Sequence, residues 1–412
     1  GSADGMMHVF ALATGAAVLA LIPPNCLSNQ PALFYNFVNN GTATGQPVQY
    51  DKHIYGVSNS PRYSDIAFPG AGPHDPAIYK TVLFITTGPG GNDTARNAPP
   101  AAPTWPVHLG WAAWAWPVST APRSGMYAID VTHPAPTDVN GDAAFGYDAA
   151  NPVTPLGYVD SNSTDNHGNP LGLKETWSIP AIGCYAAESW GALLGSGRNS
   201  LSKVDPAPTN QVSPKSFLFD PTDTTNGLMT LVRATTLTYT GTPIVGDQAF
   251  ADAVVWHTTK PSFSSQWLVD EGVVADFNGR LWFQEGVDAI AGPGVSVGTN
   301  QPIYYAPAAG AWLRDSGEQY NFYACASGTF YETAPAITGA GLCSGTAFCP
   351  RMYITALNRD ALPSLPVNYD AATGSTQYLW GHTLTGLPWV DSAGTDRTTS
   401  VQTQVVSSPF LL

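Results

Sequence analysis

Charge is scarce along this chain. Lys, Arg, Asp and Glu together make up 11% of 412 residues, less than half the usual share. Cations are scarcest: 16 Lys plus Arg stand against 30 Asp plus Glu, for a formal net charge of −14. No Arg- or Lys-rich arm occurs in the sequence. Extensive phosphate binding needs clustered cations, so any contact with RNA is expected to be weak or indirect. Cysteine is also rare. Cys26, Cys184, Cys325, Cys343 and Cys349 are odd in number and cannot all pair within one chain. The last three match no common zinc spacing; a Cys343–Cys349 loop disulfide and free buried thiols are both open readings. Long hydrophobic runs are missing as well. Val9–Ile22 is almost wholly apolar, but it falls short of the roughly 20 residues a membrane helix requires. It has no cationic leader and no A-x-A site, so neither membrane insertion nor a signal peptide is expected. Gly15 divides it into two pieces of strand length, which reads as a buried hairpin or strand.

Apolar residues make up 43% of the chain, enough for a substantial core, and 41 Gly and 36 Pro punctuate it. Such punctuation excludes many long helices and favours short strands joined by loops. Thr81–Thr87, Met126–Val131, Leu228–Thr240, Ala249–Thr258, Gly279–Phe283, Pro302–Ala306, Phe322–Ser327 and Arg351–Leu357 read as strands. Tyr378–Trp380 and Ser400–Val406 add two further candidates. No sequence repeat is visible, which argues against a propeller or β-helix. Pro134–Thr225 reads as a loop-rich insertion, with a short helix near Cys184–Leu194. The fold class expected is all-β: an antiparallel jelly-roll β-sandwich with long loop insertions, residues 1–412 forming one shell domain and 134–225 contributing to a protrusion.

Leu228–Thr258 carries the most specific wording. Two strand-like runs flank the Gly241-Thr242-Pro243 break and Gly246-Asp247, which supply turn chemistry. Arg233, Leu237, Tyr239, Thr240 and Gly241 form R-x-x-x-L-x-Y-T-G. This passage resembles one in the single jelly-roll capsid proteins of nodavirus- and tetravirus-like small RNA viruses. The resemblance implies a non-enzymatic coat protein located in the virion. It would assemble with copies of itself into an icosahedral shell around an RNA genome and meet a host receptor through its surface loops. Calcium between subunits is a further implication.

Several residues could carry chemistry. Asp138, Asn140 and Asp142 alternate along a tight turn, as oxygen ligands do around calcium. Gly141 precedes Asp142 and position twelve is Ala149, so the pattern departs from an EF-hand; an Asx-stabilised turn is the alternative. Glu271, Asp276, Glu285 and Asp288 cluster as a glycosidase pair would, although sequence cannot place them opposite one another. Gly88-Pro89-Gly90-Gly91 reads as a turn, with an anion cradle as the alternative. Trp105, Trp111, Trp114 and Trp116 could fill a core, a subunit contact or a carbohydrate platform. Sequons stand at Asn40, Asn92 and Asn162. The eight His form no zinc or hydrolase motif.

Shell assembly is therefore the first expectation, since few charges and many small polar and aromatic residues suit surfaces buried against neighbours. The alternative is a secreted β-sandwich protein that binds carbohydrate or hydrolyses glycosides. A surface receptor-binding protein shares the same composition.

Overall fold

The computed structural model describes residues 5–23, 25–26, 56–70, 78–88, 124–137, 142–143, 149, 153–176, 178–186, 189–197, 215–225, 227–237, 253–256, 271–276, 280–285, 288–289, 295–296, 303, 305–313, 319–326, 351–358 and 380–383. Apart from a 3-10 turn at residues 25–26, regular structure among them is β, with no α-helix. No helix there is long and apolar enough to cross a membrane.

The strands fall into units in chain order. β1 (Met7–Phe10) and β2 (Ala17–Leu21) make an antiparallel hairpin. This is the hairpin expected from the split at Gly15, whose φ of 68° suits the turn. Its base is buried at Met7 and Leu21, but its tip is not: Phe10 and Leu12 are exposed. A first meander follows, made of β3 (Arg62–Phe68), β4 (Ile78–Thr86), β5 (Gly125–Asp130) and β6 (Thr154–Asp160), each antiparallel to the next. The second is β7 (Ala181–Ala186), β8 (Ser189–Gly195), β9 (Lys215–Thr225) and β10 (Leu228–Thr236). One parallel step, Leu228 beside Tyr158, joins the two into an eight-stranded mixed sheet.

The third meander runs β11 (Val254–Trp256), β12 (Glu271–Ala275), β13 (Arg280–Glu285) and β14 (Asp288–Ala289), with β15 (Val295–Ser296) also pairing β13. The fourth runs β16 (Ala308–Leu313), β17 (Gln319–Ala326), β18 (Arg351–Asn358) and β19 (Trp380–Thr383).

Side-chain alternation explains how these units pack. Ile66, Val82, Phe84 and Met126 on one face of the first meander meet Ala192, Leu194, Phe217 and Phe219 of the second. The intervening residues Leu193 and Leu218 point the other way, where they meet Val274 and Trp282 of the third meander. The outer face of the first meander buries Leu83, Ile85 and Ile129 under Met7 and Leu21 of the hairpin. A bulge between Leu231 and Arg233 re-aims β10, so Met229 faces the first core and Leu237 the second.

An all-β fold is thus what the chain has. Two four-stranded leaves do face each other across a core, as in a sandwich. However, each leaf is a meander of sequential strands, and the crossovers that define a jelly roll are not among the described pairings. Three further expectations need correction. The 134–225 stretch holds four core strands, β6 to β9, and Cys184–Leu194 is a β-hairpin where a short helix was expected. The two strands of the Leu228–Thr258 passage do not form one hairpin: β10 pairs β9 and β6, whereas β11 pairs β12. Pro302–Ala306 forms no strand at its described positions. Residues 238–252 and Ser400–Val406 lie outside the described residues, Tyr239, Thr240 and Gly241 among them.

Phe217 is fully buried between the first two meanders. Phe217→Ala is expected to cost about 3–5 kcal/mol in urea unfolding. Truncating the exposed Tyr63 should stay within about 0.5 kcal/mol.

Candidate recognition face

β3 has the sequence RYSDIAF, and alternation puts Ile66 and Phe68 on the core side and Tyr63, Asp65 and Ala67 on the other. Pairing with β4 sets Tyr63 opposite Leu83, Asp65 opposite Thr81 and Ala67 opposite Tyr79. Opposite residues share a face, so all six belong to the outer face of the first meander. The β1–β2 hairpin covers Leu83 there. Beside that cover the face is open: Tyr63 is 73% exposed and Tyr79 68%. Between them the Thr81 hydroxyl donates to Asp65 Oδ1 at 2.6 Å. The rings stand four strand positions apart, about 13 Å at the usual rise. The result is an aromatic–polar–aromatic strip on the outermost pair of strands of the eight-stranded sheet.

The core side of the same strands holds the strip in place. Lys80 Nζ lies 3.2 Å from Asp130 Oδ2 and 5.0 Å from the centre of the Phe68 ring, a cation over an aromatic face. Burial pushes the Asp130 carboxyl up. The hydroxyl and amide of Thr132 and the Lys80 ammonium outweigh that and hold it below the usual carboxylate range.

A second polar group sits where β4 ends and β5 begins. Ser124, Thr87 and Thr176 are fully buried. Ser124 Oγ donates to the Gly88 carbonyl and accepts from the Thr176 amide at 2.7 Å. Thr176 Oγ1 donates to the Gly125 carbonyl at 2.9 Å. Asn59 Nδ2 reaches Thr86 Oγ1 at 2.9 Å and the Thr176 carbonyl at 2.7 Å. These hydroxyls are paired with backbone, so the group ties segments together; no base stands beside Ser124 among its described partners. The Gly88 amide donates to the Thr176 carbonyl at 3.2 Å, which supports the turn reading of Gly88 over an anion cradle.

The carboxylates picked out by sequence separate into two groups. Asp276 is fully buried and structural: Oδ2 accepts from Trp282 Nε1 and Oδ1 from the Arg280 amide, both at 3.0 Å. Glu271, Glu285 and Asp288 share one row. Glu271 is directly opposite Glu285, Glu285 opposite Asp288, and Trp256 opposite Glu271.

Of the calcium candidates, Asp142 is described and exposed, beside Ala143, which forms an isolated bridge with Thr137. Asp138 and Asn140 lie outside the described residues. Among the described residues no three His, Cys, Asp or Glu gather as metal ligands would. Asn162 sits on an exposed turn, its amide donating to Asp160 Oδ1 at 2.8 Å. Asn40, Asn92 and the Trp105–Trp116 cluster lie outside the described residues. Cys26 and Cys325 are buried free thiols. Burial pushes Cys26 and Cys325 up to about 12, which keeps both unreactive near neutrality. Cys343 and Cys349 lie outside the described residues.

Sequence reasoning missed Tyr63, Asp65, Thr81 and Tyr79. The alternation of RYSDIAF was a legible signal for β3. Which of its faces is left open depends on where the distant hairpin lies.

Asp130 makes stability depend on pH on the acid side. Its carboxyl is held low when folded, so its contribution is full above the ordinary Asp pKa of about 3.9 and is lost as pH falls through the lowered folded value. Asp130→Asn is expected to flatten the fall of Tm in that acid window. Thermal melts across the acid range check this.

No protein-family model matches the chain, and no curated protein is similar to it. Among solved structures, it is similar to the C-terminal domain of Pseudomonas aeruginosa PilY1, a crystal structure. The identity is 16% and the TM-score 0.48, and the match covers 97% of this chain and 68% of that one.

Proposed function

We propose that this chain is a recognition protein, a rigid β scaffold that binds a partner through an outer face, working outside the cell. The observation that carries the reading is the open strip on β3 and β4. The first meander buries much of both faces, yet its β3–β4 edge leaves two large rings exposed beside a hydrogen-bonded Asp65–Thr81 pair. Burying a side chain of that size is worth about 1.5–3 kcal/mol, so two rings on one flat face favour a partner that covers them. The scarcity of charge, at 11% of the sequence, also suits a surface made for contact.

The arrangement proposed for the scaffold is a series of meanders packed face on face, the building rule of propeller-like arrays of four-stranded sheets. Two faces of the second meander, buried against different neighbours, support it. Such a scaffold has its inner faces occupied by core, so recognition falls to outer faces and to loops.

A second reading, glycoside hydrolysis, draws on the carboxylate row. Glu271 and Glu285 occupy directly opposite positions on β12 and β13, and a retaining glycosidase works with two neighbouring carboxylates. Turnover of a chromogenic glycoside that Glu271→Gln and Glu285→Gln each abolish would establish it; absence of turnover across glycoside classes removes it.

Shell assembly, the reading favoured by the capsid resemblance, predicts a different particle. Analytical ultracentrifugation and negative-stain electron microscopy near neutral pH decide between them. The recognition reading expects a monomer or small oligomer. Uniform spherical particles of tens of nanometres would overturn it in favour of a shell.

A further inference from the structure

We propose that the β3–β4 strip binds a neutral, flat-ribbon glycan, with Tyr63 and Tyr79 each stacking on one sugar ring and the Asp65–Thr81 pair holding hydroxyls between them. The inference rests on the recognition reading and names its ligand.

Three features of the strip select this class. Both rings stand on one sheet face, at register positions fixed by the pairing of β3 with β4. A sugar ring offers an apolar C–H face that settles on an aromatic ring, whose own face is electron-rich. Hydroxyls line the edges of a sugar ring and need polar partners. Asp65 offers carboxylate oxygens as acceptors, and the Thr81 hydroxyl, which already donates to Asp65 at 2.6 Å, still accepts. Aromatic, polar and aromatic groups thus alternate along the strip as C–H faces and hydroxyls alternate along a glycan.

Spacing decides the length of the ligand. Rings about 13 Å apart along a strand pair cannot both be reached by one sugar. A short oligosaccharide lying along the strands reaches both. Charge decides the sign. Asp65 is exposed in the middle of the strip, and the whole chain carries −14, so acidic glycans are repelled and neutral ones are not. The cations nearest in sequence, Arg62 and Lys80, alternate to the other side of their strands, and Lys80 is engaged by Asp130.

The test is isothermal titration calorimetry of the full chain with cello- and chito-oligosaccharides, from monosaccharide to hexasaccharide. An acidic polysaccharide, polygalacturonate, serves as the charged comparison. Affinity is expected to rise with length until both rings are spanned and then to level off, with polygalacturonate silent. Tyr63→Ala and Tyr79→Ala should each weaken binding about tenfold, whereas Tyr→Phe at either position should stay close to the unsubstituted protein. Both sites are exposed, so the variants fold, as unchanged thermal melts confirm. If neutral oligosaccharides bind but the Tyr63→Ala, Tyr79→Ala double variant binds as well as the original, the strip is overturned while a recognition role stands. If no neutral oligosaccharide binds, the glycan class is overturned, and the recognition reading is judged by the particle measurement alone.

Discussion

The two-faced burial of the second meander is the constraint on which the rest of the structure depends. Along β8 and β9, neighbours in sequence serve different cores: Leu194, Phe217 and Phe219 face the first meander, and Leu193 and Leu218 face the third. A strand loaded this way cannot slip by one residue without exchanging two complete sets of contacts. Register is therefore fixed from both sides, and the bulge in β10 is the local adjustment that lets one strand serve both cores.

Polar groups then fix what apolar packing leaves undecided. The Ser124–Thr87–Thr176 group holds the end of β4, the start of β5 and residues 174–176 in one place, with Asn59 reaching in from before β3. In the third meander Asp276 closes the turn between β12 and β13 by accepting from the Arg280 amide and the Trp282 indole. Each of these groups is buried and hydrogen-bonded, so removing one partner leaves an unsatisfied polar atom in a dry setting. They are fixtures of the scaffold. The candidate recognition face differs in kind: its rings are exposed, and its one polar pair is at the surface.

Much of the strand content was legible. TVLFIT and MYAID are largely apolar runs, and such runs announce strands covered on both faces. The hairpin at Val9–Ile22 was legible from Gly15 and the lack of charge. The insertion over 134–225 was misread because β6 to β9 are separated by Asn-, Asp-, Gly- and Pro-rich turns that dominate its composition. Cys184–Leu194 looked helical because Ala, Glu and Leu favour helices; pairing of β7 with β8 overrides that preference. The succession of meanders left no visible repeat in the sequence, because antiparallel pairing of neighbouring strands needs no particular side chains.

By itself the sequence determined the class: Gly and Pro punctuation, β-branched and aromatic runs and few charges leave an all-β chain with a large core. It also determined which residues could do chemistry, among them the Glu271, Glu285 and Asp288 carboxylates. Only the tertiary structure decided pairing and exposure. It removed Asp276 from that carboxylate set, brought Glu271 and Glu285 into register, and left Tyr63 and Tyr79 open while covering Leu83 opposite Tyr63. The physical reason is that strand pairing and face burial are set by contacts between residues far apart in sequence. A strand buried on both faces carries no two-residue alternation to say which neighbour it will meet.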